Sequence, residues 1–253
     1  MIQESLATGK IVTEDMLAHL PEPVQRYMAW SGVIGRPWIY TAYVKQTGRF
    51  RQGLDKPWMP MSAEQVFTVD PPGMVWNARF KMYGLPLMRA RDSYRDGQGH
   101  MFGKAAGLFT IFDDRSEKLT LGTQTRLLSE MIWFPTAYLS DYITWTAVND
   151  HAADVTLTDH GRSVTGRMFF DDLGRPKTFE TMRYMGDRDT YTLTPWHTPN
   201  LEYGLRGGLN IPVRGTVGWA LPEGELTYGD FTIVKAEYNR PGDADAFRQT
   251  EHG

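Results

Sequence analysis

The chain contains no cysteine. That excludes disulfides, a thiolate nucleophile and any metal site built on sulfur, and it fits a reducing or an oxidising compartment alike. Neither sign of charge is in large excess: 27 Lys and Arg against 30 Asp and Glu leave a net charge of -3. This balance gives no electrostatic footprint for nucleic acid, and no block of like charges forms a membrane patch. No apolar run reaches the roughly 20 residues that a spanning helix needs. The start, Met1-Ile2-Gln3-Glu4-Ser5, lacks the basic and apolar regions of a leader, so the expected location is cytoplasmic. His19, His100, His151, His160, His197 and His252 never fall at the spacing of a local metal motif. Phosphate-cradling glycine loops and a nucleophile elbow are also missing. No metal and no cofactor are expected.

Aromatic residues are plentiful instead: 8 Trp, 12 Tyr and 12 Phe, beside 13 Met. Such a content serves a large core or an apolar ligand site. Leu20 to Gly32 reads as a helix over 23–31, with Pro23 in its first turn and Gly32 as its stop. From Trp38 the period of the apolar residues changes to two. Strands are expected over 39–50, 63–69, 74–82, 88–95, 100–112, 143–148, 153–157, 163–170, 177–185, 191–193, 211–221 and 227–238, with a turn at 187–189 and an irregular stretch at 195–208. A second helix is expected over 125–134, stopped by Pro135. The fold class is mainly β (α+β): a large curved antiparallel sheet or half-barrel with an N-terminal and a central helix. One domain over 13–240 is expected, with flexible termini at 1–12 and 241–253.

Four groups of residues carry possible chemistry. Arg126 and Glu130 stand four apart on the central helix and can pair, with Trp133 one turn on. The pair either clamps the helix to the sheet or holds a carboxylate of tunable acidity in an apolar site. Asp92 and Tyr94 share a strand face with Met88 and Ala90 that reads as buried; Arg79, Arg89 or Arg91 is the expected counter-charge. Trp196 and His197 lie in a Pro-braced stretch with Tyr203 nearby, which suits either a lid or a loop packed on its own Trp. Trp133, Phe134, Tyr138, Tyr142 and Trp145 form core packing or an aromatic wall for a ligand.

Several motifs in order resemble a widespread bacterial domain-of-unknown-function family. They are Leu20-Pro21-Glu22-Pro23-Val24 with Arg26-Tyr27, Trp58 and Pro60 before Ala63-Glu64-Gln65, Trp76 with Ala78, Asp92 and Tyr94 before Gly97, Gly99 and Met101, and Arg126 with Glu130-Met131-Ile132-Trp133-Phe134-Pro135-Thr136-Ala137. Pro195-Trp196, Tyr203 and Ile211-Pro212 extend the match over about 20–238. The resemblance implies a curved sheet cupping helices, similar to lipoprotein-carrier half-barrels, and no reaction.

The leading expectation is a cavity protein for a small, largely apolar or aromatic molecule, acting by cofactor-independent acid/base chemistry (a lyase, isomerase or hydrolase step). Glu130 or Asp92 is then the acid or base, Arg126 the orienting charge, and Tyr94 and His197 the proton donors. Trp76, Trp133, Tyr138, Trp196 and Tyr203 line the site. The alternative is a non-catalytic carrier of a lipid or other hydrophobic ligand.

Overall fold

Alternating side chains along the strands produce a single curled half-barrel sheet in two runs that meet in the middle. The computed structural model describes residues 9–82, 85–106, 109–186 and 190–243. The first run is β1 (Thr41–Phe50), β2 (Met59–Thr68), β3 (Gly73–Met82), β4 (Leu85–Arg95), β5 (Gln98–Ala105) and β6 (Phe109–Asp114). The second is β7 (Ile143–Asn149), β8 (Ala152–Asp159), β9 (Arg162–Phe170), β10 (Pro176–Met185), β11 (Thr192–His197), β12 (Asn200–Arg206), β13 (Leu209–Leu221) and β14 (Gly224–Tyr238). β1 pairs with β14, so the first run spreads outward to β6 and the second to β7; β12 hangs from β13. All pairs are antiparallel, as short turns between successive strands require.

The chain passes from edge strand β6 to edge strand β7 through the long helix α2 (Glu117–Glu130) and two 3-10 turns, Met131–Trp133 and Pro135–Leu139. α2 packs on β4 and β5 of one run and on β8, β9 and β10 of the other, so it closes the trough between the two wings. Leu127 and Leu128 are fully buried on its sheet side. The N-terminal helix α1 (Glu22–Ser31) buries Val24, Tyr27 and Met28, and ends where Gly32 takes a left-handed φ of 73°. The main core joins both helices to both runs, and a smaller cluster around Met61, Trp76, Phe80 and Met88 fills the first wing.

The structure changes four local expectations. The spacing predicts a helix over 125–134, but α2 begins at Glu117, capped by the Ser116 side chain, which accepts from the Leu119 amide. Thr120, Thr123 and Thr125 favour helices weakly, and burial against the sheet outweighs that. The helix also stops at Glu130, because Phe134 must be extended before Pro135. The strand predicted over 100–112 is divided into β5 and β6, and Ala106 with φ 50° turns the chain between them. The irregular stretch at 195–208 is largely strand, β11 and β12. Pro195 fits because β11 pairs with β13 only from Trp196 onward, so the missing N–H has no ladder to break.

The expected flexible segment 1–12 is pinned at its end: Val12 is buried, its amide donates to the Arg36 carbonyl, and the Lys10 ammonium lies 3.4 Å from the centre of the Trp38 ring. Asp243 in the expected tail is buried beside Arg240. Residues 1–8 and 244–253 and the expected turn at 187–189 lie outside the described residues. Among the described residues no helix is long and apolar enough to cross a membrane.

Candidate functional site

Register places four inward side chains in one row across the first wing: Gln65 on β2 faces Trp76 on β3, which faces Asp92 on β4, which faces Met101 on β5. The stripe Lys118, Gly122, Arg126 and Glu130 on α2 looks toward the same space, since residues four apart share a helix face. Between them and the second run lies a cavity of about 710 Å3. Trp76, Phe50, Phe231, Trp196, Trp219 and Tyr228 line it. This volume falls within the roughly 300–1,000 Å3 of small-molecule sites.

The row and the stripe are joined by a continuous hydrogen-bonded network. Arg126 donates from Nε to Glu130 Oε1 at 2.8 Å and from Nη1 to Asp92 Oδ2 at 2.9 Å. Its guanidinium stacks 4.6 Å from the Trp76 ring centre. Thr123 donates to Asp92 Oδ1 at 3.3 Å. Gln65 donates to Glu130 Oε2 at 2.7 Å, Gln46 donates to Gln65 Oε1 at 3.2 Å, and the Trp76 indole N–H donates to Gln46 Oε1 at 3.0 Å. Every polar group of this wall therefore has a partner, as burial demands. The side chains of Asp92, Glu130 and Arg126 are only 2%, 13% and 16% exposed.

Burial pushes the Glu130 carboxyl above its usual range and outweighs the opposing pull of Arg126 and Gln65. Burial works against the Arg126 charge too, but the two carboxylates win and hold it firmly protonated. The counter-charge of Asp92 is thus Arg126, not the strand arginines: Arg79 and Arg89 face each other on the exposed outer side of the sheet.

Trp76, Trp133 and Trp196 border the cavity with Asp92, Arg126 and Glu130. The other named residues stand elsewhere. Tyr94 is buried and donates to Asp159 Oδ2 at 2.7 Å; burial first, then that bond, push its hydroxyl well above the usual phenol range. His197 sits on β11 with Nε2 3.2 Å from Glu225. Tyr138 is a core residue whose hydroxyl donates to the Leu128 carbonyl, and the Tyr203 hydroxyl donates to the Pro176 carbonyl. Parity on β4 fixes the face of Tyr94 but not its neighbour; His197 and Tyr203 lie on strands where an irregular stretch is expected, and Tyr138 lies in the 3-10 turn Pro135–Leu139. Gln46 and Gln65 escaped that reading. Gln65 stands in a motif and alternates with buried Ala63 and Phe67, a signal that was available; Gln46 offers only its inward parity. Among the described residues no three or more His, Asp or Glu side chains are grouped to hold a metal ion.

The two glycines of the Asp92 motif have separate tasks. Asp96 and Gly97 take left-handed φ of 49° and 73° to turn β4 into β5. Gly99 lies under α2: a Cβ there would stand 2.7 Å from the Thr120 Cα, and the Gly99 amide donates to the Thr120 hydroxyl. The missing side chain lets the helix seat close enough for Arg126 to reach Asp92.

Residues 10–231 match the model of a family of unknown function, DUF6544, and the chain belongs to that family. No curated protein matches significantly. Among solved structures, the chain is similar to a DUF1329 family protein from Desulfovibrio piger ATCC 29098, at 9% identity over 87% of this chain and 92% of that one, with a TM-score of 0.50. A putative outer membrane lipoprotein-sorting protein domain from Vibrio parahaemolyticus matches at 9% identity over 93% and 95% of the two chains, with a TM-score of 0.46. A LolA superfamily protein from Nitrosomonas europaea matches at 9% identity over 93% and 97%, also at 0.46. At these identities the likeness concerns the fold alone.

Proposed function

We propose that this chain is a carrier that holds one small hydrophobic molecule between α2 and the curled sheet. The observation that carries the reading is the cavity of about 710 Å3, lined by indole, phenyl and phenol rings. A space of this size with so much aromatic surface gains free energy by shedding water onto an apolar ligand, roughly 25 cal/mol for each Å2 covered. The buried polar wall does not oppose this, because its donors and acceptors are already satisfied by one another.

The acid/base reading retains one favourable observation, the raised carboxyl of Glu130 at the cavity wall. Against it, both Glu130 oxygens are engaged, by Arg126 and by Gln65, and neither Tyr94 nor His197 borders the cavity. The network reads better as the frame that fixes α2 over the sheet.

Native mass spectrometry of gently purified protein, followed by organic extraction, tests the carrier reading. The expected result is a bound apolar species in stoichiometric amount that extraction removes. Protein of bare chain mass that also fails to take up any apolar compound offered in excess defeats it.

A further inference from the structure

Among the described residues, more positive than negative side chains line the cavity. Five cations border it: Arg51, Lys118, Arg126, Arg183 and Arg214. Arg126 is matched by Asp92 and Glu130, and Arg214 by Asp230 and Glu202. Among the described residues Arg51 has no carboxylate partner, but its Nε donates to the Thr227 carbonyl at 2.7 Å and its guanidinium lies 4.7 Å from the Trp58 ring centre. Arg183 and Lys118 differ. Arg183, half-buried on β10, donates from Nε to the Gly122 carbonyl of α2 at 2.9 Å. Its guanidinium is braced against two indoles, 4.9 Å from the Trp196 ring centre and 5.7 Å from that of Trp219. Lys118, one turn before Gly122, donates to the Tyr191 carbonyl at 3.5 Å and lies 5.6 Å from the Tyr184 ring centre. Asp114, on the same side, accepts the Tyr191 hydroxyl at 2.8 Å. Among the described residues neither cation has a carboxylate within salt-bridge reach.

A half-buried guanidinium without a counter-ion costs the fold free energy. Here it is also held in place: Nε is fixed by a carbonyl, two indoles lie beside the guanidinium, and among the described residues the terminal nitrogens make no hydrogen bond. Such a fork suits the two oxygens of a carboxylate or phosphate. Trp76, Phe50 and Phe231 continue the same cavity with apolar surface.

We propose that the ligand is an amphiphile with an anionic head, a carboxylate or a phosphate monoester, seated on Arg183 and Lys118 with its tail along the aromatic wall. The proposal rests on the carrier reading above and names the chemical class of its ligand.

Laurate, dodecyl phosphate and dodecanol share a tail and differ in the head. Each is titrated against the protein loaded with the neutral probe N-phenylnaphthylamine, with acetate and inorganic phosphate as controls without a tail. The expected result is that laurate, dodecyl phosphate or both displace the probe at concentrations about tenfold or more below dodecanol, the size of one or two charge-assisted hydrogen bonds. Which anion leads tells a carboxylate from a phosphate site. Arg183→Gln and Lys118→Gln should each shrink that gap, and dodecanol affinity measured beside it reports the state of the cavity. Equal displacement by all three tailed compounds overturns the proposal and leaves the carrier reading standing. Displacement by acetate or phosphate as strong as by the tailed anions also overturns it. Failure of the probe and every tailed compound to bind removes both. Should Arg183→Gln lose dodecanol as well, Lys118→Gln at its exposed position decides: a smaller gap supports the proposal and an unchanged gap overturns it.

Discussion

Arg126 is the residue on which most of the buried polar wall depends. It faces two carboxylates and one indole ring, so its removal leaves Asp92 and Glu130 without their cation in a dry place. Arg126→Met is expected to cost about 3–5 kcal/mol at neutral pH, read as the shift of a urea unfolding midpoint. Glu130→Gln is expected to be much milder, because Arg126 keeps Asp92. The pH dependence of the two proteins should also differ. Glu130 has a folded-state pKa above its ordinary 4.5, so between those values the folded state binds more protons than the unfolded one. Stability contributed through this group therefore falls as pH rises through that window and is level above it. The difference in melting temperature between the native protein and Glu130→Gln, followed from pH 4 upward, should show that fall; a flat difference contradicts the placement of the carboxyl. The Arg126–Glu130 contact is legible in the sequence because helix geometry fixes it. The Arg126–Asp92 contact, 34 residues apart, depends on how α2 seats on β4, and no local pattern encodes that.

At the scale of elements, α2 owes its place to a cap and a gap. Ser116 accepts from the Leu119 amide, and Ser116→Ala should cost about 1 kcal/mol. Gly99 leaves room for Thr120, and Gly99→Val should cost more, about 1–3 kcal/mol, since backbone rather than a flexible side chain must give way. The two variants separate a local fault from a docking fault. Gly99→Val should lift the helix and expose the Arg126 network to hydrogen exchange, whereas Ser116→Ala should fray only the first turn. The period-two pattern shows most strands, because one face of each is buried and the other is not. It fails at 195–208, where Pro195 and two glycines of a following turn mimic a loop, and the helix pattern misses the start of α2 at 117–124, where threonines are weak helix formers.

At the scale of the molecule, alternation and turn spacing announce a large antiparallel sheet, but not that β1 pairs with β14 or that α2 bridges the two outer wings. Those are long-range pairings, and they create the cavity. Gly122 lies on the cavity side of α2, where a Cβ would meet nothing nearer than Arg183 at 3.8 Å. Gly122→Leu therefore projects a side chain into the ligand space, and it replaces a poor helix former by a good one, worth up to about 1 kcal/mol. Titration of the native protein and of Gly122→Leu with N-phenylnaphthylamine tests the central claim most directly. The account predicts saturable binding at one site in the native protein, and its loss in a variant that melts no lower. Native protein that binds no probe, or a folded variant that binds it equally well, contradicts a ligand seat between α2 and the sheet.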